Sequence, residues 1–433
     1  MCLYLTYFAK RRQLVITIDV RKYDKNEFRL LFDQMGQVEL YRNPEGKRYA
    51  LCLKHAFELL GTVMYLRERG GSVLLMHADT PFETAKEIAR NGDCSYLLFE
   101  NWETAVAVKA SSISYEPSVL QYSSGTTGAS TLIARSWKLV DHEIEHYNQL
   151  FGEAPSEQPV ILAPVSHSFG LITGTLASWA RGIEPTIVQD KNPRFALHVI
   201  KAAQNPIVYT VPFIYNVLDV LEKGKLSCHK VVISGSPPSE ALLKRMKVQT
   251  DEVWQQYGCT EIGCISVAKH PSLYTDVGKP LGHLEISIRP DDHEGEDGKG
   301  EIMVGLGGSN AIATKDLGCM AQGTGHLHLY GRLDDLINVS GLKVIPSEVE
   351  AVLGRMPGIS EAVVVKTDHK IWGEAVRALV VANSPIEAQD VRIWCMKQLP
   401  PYKVPSVVEL VTEIPKMPSG KVSRKLLQEL ERS

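Results

Sequence analysis

Apolar and polar residues alternate in two distinct rhythms along the first part of the chain. VITIDV reads as a strand, and FELLGTVMYLRERGG carries apolar side chains at helical spacing before a glycine pair that stops it. SVLLMH follows as a buried strand, and ETAKEIARNGDCSYLLFE repeats helix and then strand. The same order returns in HVIKAAQNPIVYTV and in LLKRMKVQTDEVWQQYG. Helices alternating with uninterrupted apolar strands predict mostly parallel sheets with helices on their faces. From about Leu281 to Tyr330 the rhythm shortens. EISIRP, GEIMVG and HLHLYG are brief strands around the turn-rich DDHEGEDGKG, which predicts a small antiparallel or barrel-like subdomain.

After GRLDDLIN the texture changes again. PSEVEAVLGRMPG and AQDVRIWCMKQLP read as helices, and EAVVVKTD and RALVVAN as strands. A joint near Asp334 would divide an N-terminal core, residues 1–333, from a small C-terminal domain, residues 334–433. The expected fold class is α/β, or α+β over the whole chain: a large domain of parallel-rich sheets with a barrel-like subdomain, then a small mobile α+β domain.

Composition narrows the function classes. At 433 residues the chain is too long for one ordinary core. Apolar residues at 44% and charged residues at 22% match a soluble globular protein. A formal net charge of -3 without a basic run argues against nucleic-acid binding through phosphate neutralisation. Small molecules or proteins are the expected partners. The 8 cysteines include no CxxC pair, so neither a zinc nor a disulfide framework is expected, and a reducing cytosol suits them. The apolar stretch in MCLYLTYFAKRR is short and its charges follow it, unlike a signal peptide. No segment approaches the roughly 18 apolar residues of a membrane span. A cytoplasmic enzyme is the expectation.

Five segments carry candidate chemistry. SSGTTGAS, Ser123 to Ser130, follows the apolar VLQY, and such a loop can wrap phosphate oxygens with backbone N–H groups and small hydroxyls. It is no Walker loop, because no GK[ST] follows at the required spacing. QQYGCTEIG offers Glu261, a hard oxygen ligand suited to Mg²⁺, beside the hydroxyl of Thr260. VISGSPPSEAL places small residues at a strand end, where a flat ring can approach closely. TKDLGCM and HLYGRLDDLINVSGLKVIPSEVE supply Asp316 for sugar hydroxyls, Arg332 and Lys343 as positive charge, and Asp334 and Asp335 at the joint. PKMPSGKVSRKLL puts Lys421 on a Pro/Gly-rich loop. Taken singly, each has a plainer alternative: a solvated turn, a polar pair at a helix start, or surface charge.

In this order, SSGTTG, YGCTE, GRLDDLINVSG, PSEVE and PSGKVSR resemble the adenylate-forming superfamily of acyl-CoA synthetases, peptide-synthetase adenylation domains and luciferases. The resemblance runs from about Val119 to the C-terminus. It implies activation of a carboxylic acid with ATP and Mg²⁺, then transfer to a phosphopantetheine thiol. By the same resemblance, Ser123, Ser124, Gly125, Thr126, Thr127 and Gly128 hold the phosphates. Thr260 contacts the α-phosphate and Glu261 holds the metal. Ser236, Pro237, Pro238 and Tyr257 frame the adenine. Asp316, assisted by Arg332, binds the ribose, and Lys343 is a further phosphate contact. Lys421 is the catalytic lysine. A hinge at Asp334 withdraws Lys421 and brings Gly341 to Lys343 toward the thiol. His167, Phe169, Gly170, Gly235 and Gly258 line the acid pocket.

Two departures stand out. Relatives follow the Gly-rich loop with Pro-Lys-Gly, whereas this chain has Ser130-Thr131-Leu132, leaving Arg135 as the candidate substitute for the loop lysine. The stretch before SSGTTG is also short, so the N-terminal core should be trimmed. No acidic residue lies in APVSHSFGLITG, which disfavours an α-amino acid and suits an uncharged acyl tail. The trimmed length is similar to compact aryl-acid ligases of siderophore assembly. That implies an aromatic acid such as 3,4-dihydroxybenzoate and a phosphopantetheinyl carrier protein. An acyl-CoA synthetase for an aromatic or fatty acid is the nearest alternative, and a non-catalytic nucleotide-binding member is the alternative of another class. A dehydrogenase fits poorly, because VGLGGSN misses the GxGxxG spacing.

Overall fold

The computed structural model describes residues 14–108, 113–123, 131–152, 157–224, 226, 228–290, 298–308, 311–416 and 422–432. Three sheets organise them. The six-stranded sheet runs in the order Ala105–Ala107, Tyr96–Glu100, Arg48–Leu53, Ser72–Leu75, Ser118–Tyr122, Leu132–Ser136. Its four central strands are parallel and its two edge strands antiparallel. The central strands are apolar on both faces because helices Ala56–Glu68 and Phe82–Asn91 pack beside them, as the alternation predicts.

The second sheet has thirteen strands. Its parallel part runs from Ile16–Ile18 through Thr186–Ile187, Gln158–Ile161, Pro206–Thr210 and Cys228–Ile233 to Thr250–Cys259. Gly263–Lys269 turns back antiparallel on Thr250–Cys259. Beyond it, Asp276–Pro280, Leu327–Arg332, Ile312–Met320, Gly300–Gly305 and Glu285–Pro290 extend the sheet antiparallel. The turn-rich segment therefore joins the large sheet edge to edge. Helix starts are chemically marked: Ser136 caps Trp137–Asn148, and Ser239 caps Glu240–Gln249. Lys25–Gln37, outside the segments assigned from pattern, begins with a reciprocal capping box of Asp24 and Glu27.

The last hundred or so residues build their own five-stranded sheet from Ile337–Val339, Leu342–Val344, Ile359–His369, Gly373–Ala382 and Val407–Leu410. Helices Pro346–Leu353 and Ala388–Met396 close a separate core around Val349, Leu353, Val364, Val380 and Cys395. Among the described residues no helix is long and apolar enough to cross a membrane.

Three histidine rings meet where Trp137–Asn148 passes the turn after Asp276–Pro280. His142, His146 and His283 have centroids 4.6 to 5.0 Å apart. Burial, with the neighbouring His146, His142 and Arg135, pushes the His283 pKa down to about 4. The folded value lies below the unfolded one, so stability from keeping this ring neutral is complete above pH ~6.5 and is lost as pH falls toward 4. His283→Gln should thus lose less stability than the wild type between pH 6.5 and 4 when urea midpoints are compared. An unchanged difference between the two pH values would contradict this reading.

Candidate active site

Four strands, Gln158–Ile161, Pro206–Thr210, Cys228–Ile233 and Thr250–Cys259, lie side by side and parallel. The segments that leave their carboxyl ends therefore emerge along a single sheet edge, the usual place for a ligand in an open α/β sheet. Residues 162–168 carry His167, which is exposed. Gly235, Ser236 and Pro237 are exposed while Pro238 is buried. Gly235 sits at φ +94°, a backbone state that favours glycine. Thr260 and Glu261, both half-buried, form the turn after Cys259. Phe169 opens a π-type helical stretch, Phe169–Leu176, with its ring 5.8 Å from Tyr209. Gly170 is required by packing, because a Cβ there would lie 2.4 Å from the Pro164 carbonyl oxygen.

The six-stranded sheet brings the base of the Gly-rich loop to the same region. Ser123 and Thr131 close its base, the Ser123 N–H donating to the Thr131 carbonyl at 2.9 Å. Ser124, Gly125, Thr126, Thr127 and Gly128 lie outside the described residues. Gln121, at the end of Ser118–Tyr122, ties the two sheets together. Its Nε2 donates to the Ser166 carbonyl at 2.8 Å and its Oε1 accepts from the Ser168 hydroxyl. The loop base is thereby fixed to the residues flanking His167.

The Thr260–Glu261 turn is a tight hairpin whose geometry demands glycines. A Cβ on Gly258 would lie 2.1 Å from the Gly263 carbonyl oxygen, and Gly263 itself has φ +95°. Among the described residues no three His, Cys, Asp or Glu side chains form a metal-holding group. Glu261 is a half-buried carboxylate on a turn, the kind of ligand Mg²⁺ takes together with substrate phosphates. Its charge is felt by Asp316.

Asp316 is the electrostatic centre of the cluster. Tyr257 donates its hydroxyl to Asp316 Oδ2 at 2.7 Å, and Arg332 Nη1 donates to Oδ1 at 3.2 Å. Burial pushes the Asp316 carboxyl above its ordinary range, against the lowering pull of Arg332 and the Tyr257 hydroxyl. Burial, reinforced by Asp316, likewise raises Tyr257, which keeps the phenol a donor. Three expected residues, Tyr257, Asp316 and Arg332, thus meet in one contact, with Glu261 close by.

The segment around Asp334 lies between two anchors. Arg332 is held to Asp316 on one side. On the other, Asp335 accepts from Arg424 Nη1 at 3.1 Å, and Arg424 also grips both carboxylate oxygens of Glu350. Lys343 is half-buried in the five-stranded sheet, on a strand paired with Ile337–Val339. Lys421 lies outside the described residues. Lys416 is described, and its ammonium sits 4.8 Å over the Phe213 ring while pairing with Glu361 at 2.8 Å. Phe213 lies in the first turn of the helix Pro212–Leu221, which follows Pro206–Thr210, so Lys416 is held near the carboxyl end of that strand.

One expectation is overturned. Arg135 does not replace the missing loop lysine: it is buried, and its guanidinium pairs with the equally buried Glu143. A desolvated, paired arginine does not reach out to a phosphate. Motif reading also passed over Gln121, Glu143 and Arg424. Glu143 had a signal, since it interrupts the apolar stripe of Val140, Ile144 and Tyr147 on Trp137–Asn148.

Comparison with known proteins adds to this geometry. A family profile described as "AMP-binding enzyme" matches residues 100–309, and one described as "AMP-binding enzyme C-terminal domain" matches residues 348–421. The chain is 43% identical over 415 residues to a 3,4-dihydroxybenzoate–[aryl-carrier protein] ligase of Bacillus anthracis, covering 96% of this chain and 98% of that one. It is 29% identical over 336 residues to a 2-succinylbenzoate–CoA ligase of Bacillus licheniformis, covering 71% and 69%. Among solved structures, the O-succinylbenzoate Coenzyme A synthetase of Bacillus subtilis in complex with ATP and magnesium ion is similar in fold. It gives a TM-score of 0.82 at 22% identity, covering 98% of this chain and 99% of that one.

The buried contact makes a direct prediction. Tyr257→Phe removes a hydrogen bond to a buried carboxylate and should destabilise the fold by about 1.5–3 kcal/mol, read from urea unfolding at pH 7. A midpoint equal to wild type would mean that Asp316 finds another donor.

Proposed function

This chain belongs to the AMP-binding enzyme family and is an acid-activating ligase; from that premise we propose that it adenylates 3,4-dihydroxybenzoate and loads it on an aryl carrier protein. The acid and the acceptor are those in the name of the Bacillus anthracis relative, which matches this chain nearly end to end. One observation in the site carries the nucleotide part of the reading. Asp316 is buried between Tyr257 and Arg332, beside the Thr260–Glu261 turn, at the carboxyl edge of the parallel strands. A carboxylate held there can accept ribose hydroxyls while the turn faces the phosphates.

The chemistry is a displacement between two anions. A carboxylate oxygen of the acid attacks the α-phosphorus, the bond to the β-phosphate bridging oxygen breaks, and pyrophosphate leaves. The thiol then attacks the acyl carbon and AMP departs. Thr260 donates to the α-phosphate, and the Gly-rich loop, Ser123 to Gly128, holds the departing phosphates. Ser236, Pro237, Pro238 and Tyr257 border the adenine. Lys421 brings an ammonium to the carboxylate and bridging oxygens, and Lys343 is a second cation. Glu261 would hold Mg²⁺, which supplies neutralising charge on the phosphate oxygens when bound. Positioning and preorganised charge do the work, with no covalent enzyme intermediate.

His167, Phe169, Gly170, Gly235 and Gly258 border the acid. No carboxylate is offered in APVSHSFGLITG, so an α-ammonium would be desolvated there without a partner. Asp334, between the Arg332 and Asp335 anchors, is the pivot at which residues 334–433 reorient between the two half-reactions. Every described cysteine is a free thiol, which suits a cytoplasmic enzyme. A role in siderophore assembly is part of the proposal and rests on the resemblance to compact aryl-acid ligases. Coenzyme A is the competing thiol, favoured by the 2-succinylbenzoate–CoA ligase relative.

Pyrophosphate exchange across dihydroxybenzoates, benzoate, fatty acids and amino acids tests the acid, with 3,4-dihydroxybenzoate expected to give the highest kcat/KM. A better amino or fatty acid would overturn the choice. Thioester formation on a holo-carrier should exceed that on Coenzyme A. Lys421→Ala should lower adenylation at least about 10²–10³-fold yet leave thioester formation from supplied acyl-adenylate largely intact. Equal loss of both steps would contradict its role. Asp334→Pro should spare adenylation and impair thiolation, and unimpaired thiolation would remove the pivot.

A further inference from the structure

We propose that Arg135 and Glu143 form a positioning strut that sets the distance between the base of the Gly-rich loop, Ser123 and Thr131, and the Thr260–Glu261 turn. The two segments belong to different sheets. The loop joins Ser118–Tyr122 to Leu132–Ser136 at the edge of the six-stranded sheet, and the turn joins Thr250–Cys259 to Gly263–Lys269 in the large sheet. A mononucleotide spanning them needs their separation held, and backbone hydrogen bonds within either sheet cannot do that.

Beside the Gln121 contacts, a second chain of contacts crosses the gap. Arg135, on the strand leaving the loop, pairs through Nη2 with Glu143 Oε2 on Trp137–Asn148. Glu143 uses its other oxygen, Oε1, to accept the Cys264 N–H at 2.8 Å, on the strand leaving the turn. Both side chains are almost wholly removed from solvent, at 4% and 2% exposure, so neither can swap its partner for water. The strut runs directly beneath the turn. A Cβ on Gly263 would sit 2.4 Å from Glu143 Oε2 and 2.5 Å from Arg135 Nη2, so only glycine admits the pair so close to the hairpin.

A buried ion pair is weak evidence for stability, because desolvation offsets most of the attraction, but it is stiff and particular about distance. That property suits a spacer. Arg135 and Glu143 are positioning residues that act through the loop and the turn, and this role rests on the nucleotide-site reading above. It also accounts for Arg135 being withdrawn from solvent.

Glu143→Asp tests it, because the charge is kept while the strut shortens by one methylene. In the full-length enzyme, kcat for pyrophosphate exchange should fall about ten- to a hundredfold, as misplacement by an ångström does. KM for ATP should rise while KM for the acid stays unchanged. The double variant Arg135→Met/Glu143→Leu, which leaves no unpaired buried charge, should show the same split. If either variant is folded by urea midpoint and keeps wild-type kcat and ATP KM, the strut is refuted. Loss that tracks only the folded fraction, or an equal rise in both KM values, also overturns it. Glu261→Gln is the reference. If it leaves ATP use unchanged, the nucleotide-site reading itself fails; if it impairs ATP use while the strut variants do not, only this inference fails.

Discussion

Joining a carboxylate to a triphosphate means holding two anions within bonding distance, and the roles proposed for the candidate site answer that repulsion. Bulk water would screen the charges but also scatter the reactants. In the proposed site, donors and cations held in place would meet the reactants at no cost in reorganisation as charge develops. The parallel strands whose ends lead into His167, Gly235 and Thr260 supply the convergence. The buried contact of Tyr257, Asp316 and Arg332 makes one carboxylate available without adding a freely solvated negative charge beside the phosphates.

The price of such a site is that its parts come from separate sheets. The strands flanking the Gly-rich loop belong to one sheet, the Thr260–Glu261 turn to a second, and Lys343 to a third. Side chains that motif reading passed over make polar contacts around these parts. Gln121 fixes the loop base to Ser166 and Ser168, Arg135 and Glu143 together reach the Cys264 N–H beneath the turn, and Arg424 fastens Asp335 to Glu350 within the C-terminal segment itself. All three use short polar contacts in partly or fully buried surroundings, where geometry is strict.

Much of this was legible in the chain. Continuous apolar runs such as PIVYT announced strands buried on both faces, and the order of SSGTTG, YGCTE and PSGKVSR announced the chemistry, because such loops are local in sequence. The registration contacts were not. Arg135 stands in the sequence as a candidate substitute for the loop lysine because sequence shows charge without burial, and only the packing of Trp137–Asn148 against Gly263–Lys269 reveals its partner. Glu143 did leave a trace, a carboxylate in an apolar stripe, but which residue it faces is a tertiary fact. The joining of the antiparallel strands to the large sheet depends on long-range pairing of Asp276–Pro280 with Leu327–Arg332, which local periodicity does not encode.

A crystal structure with a non-hydrolysable aryl-adenylate analogue tests the central claim most directly. Both ribose hydroxyls are expected within hydrogen-bond reach of the Asp316 carboxylate, with the linker replacing the phosphate beside Thr260. An analogue bound with its ribose away from Asp316, or on another edge of the sheet, would contradict it.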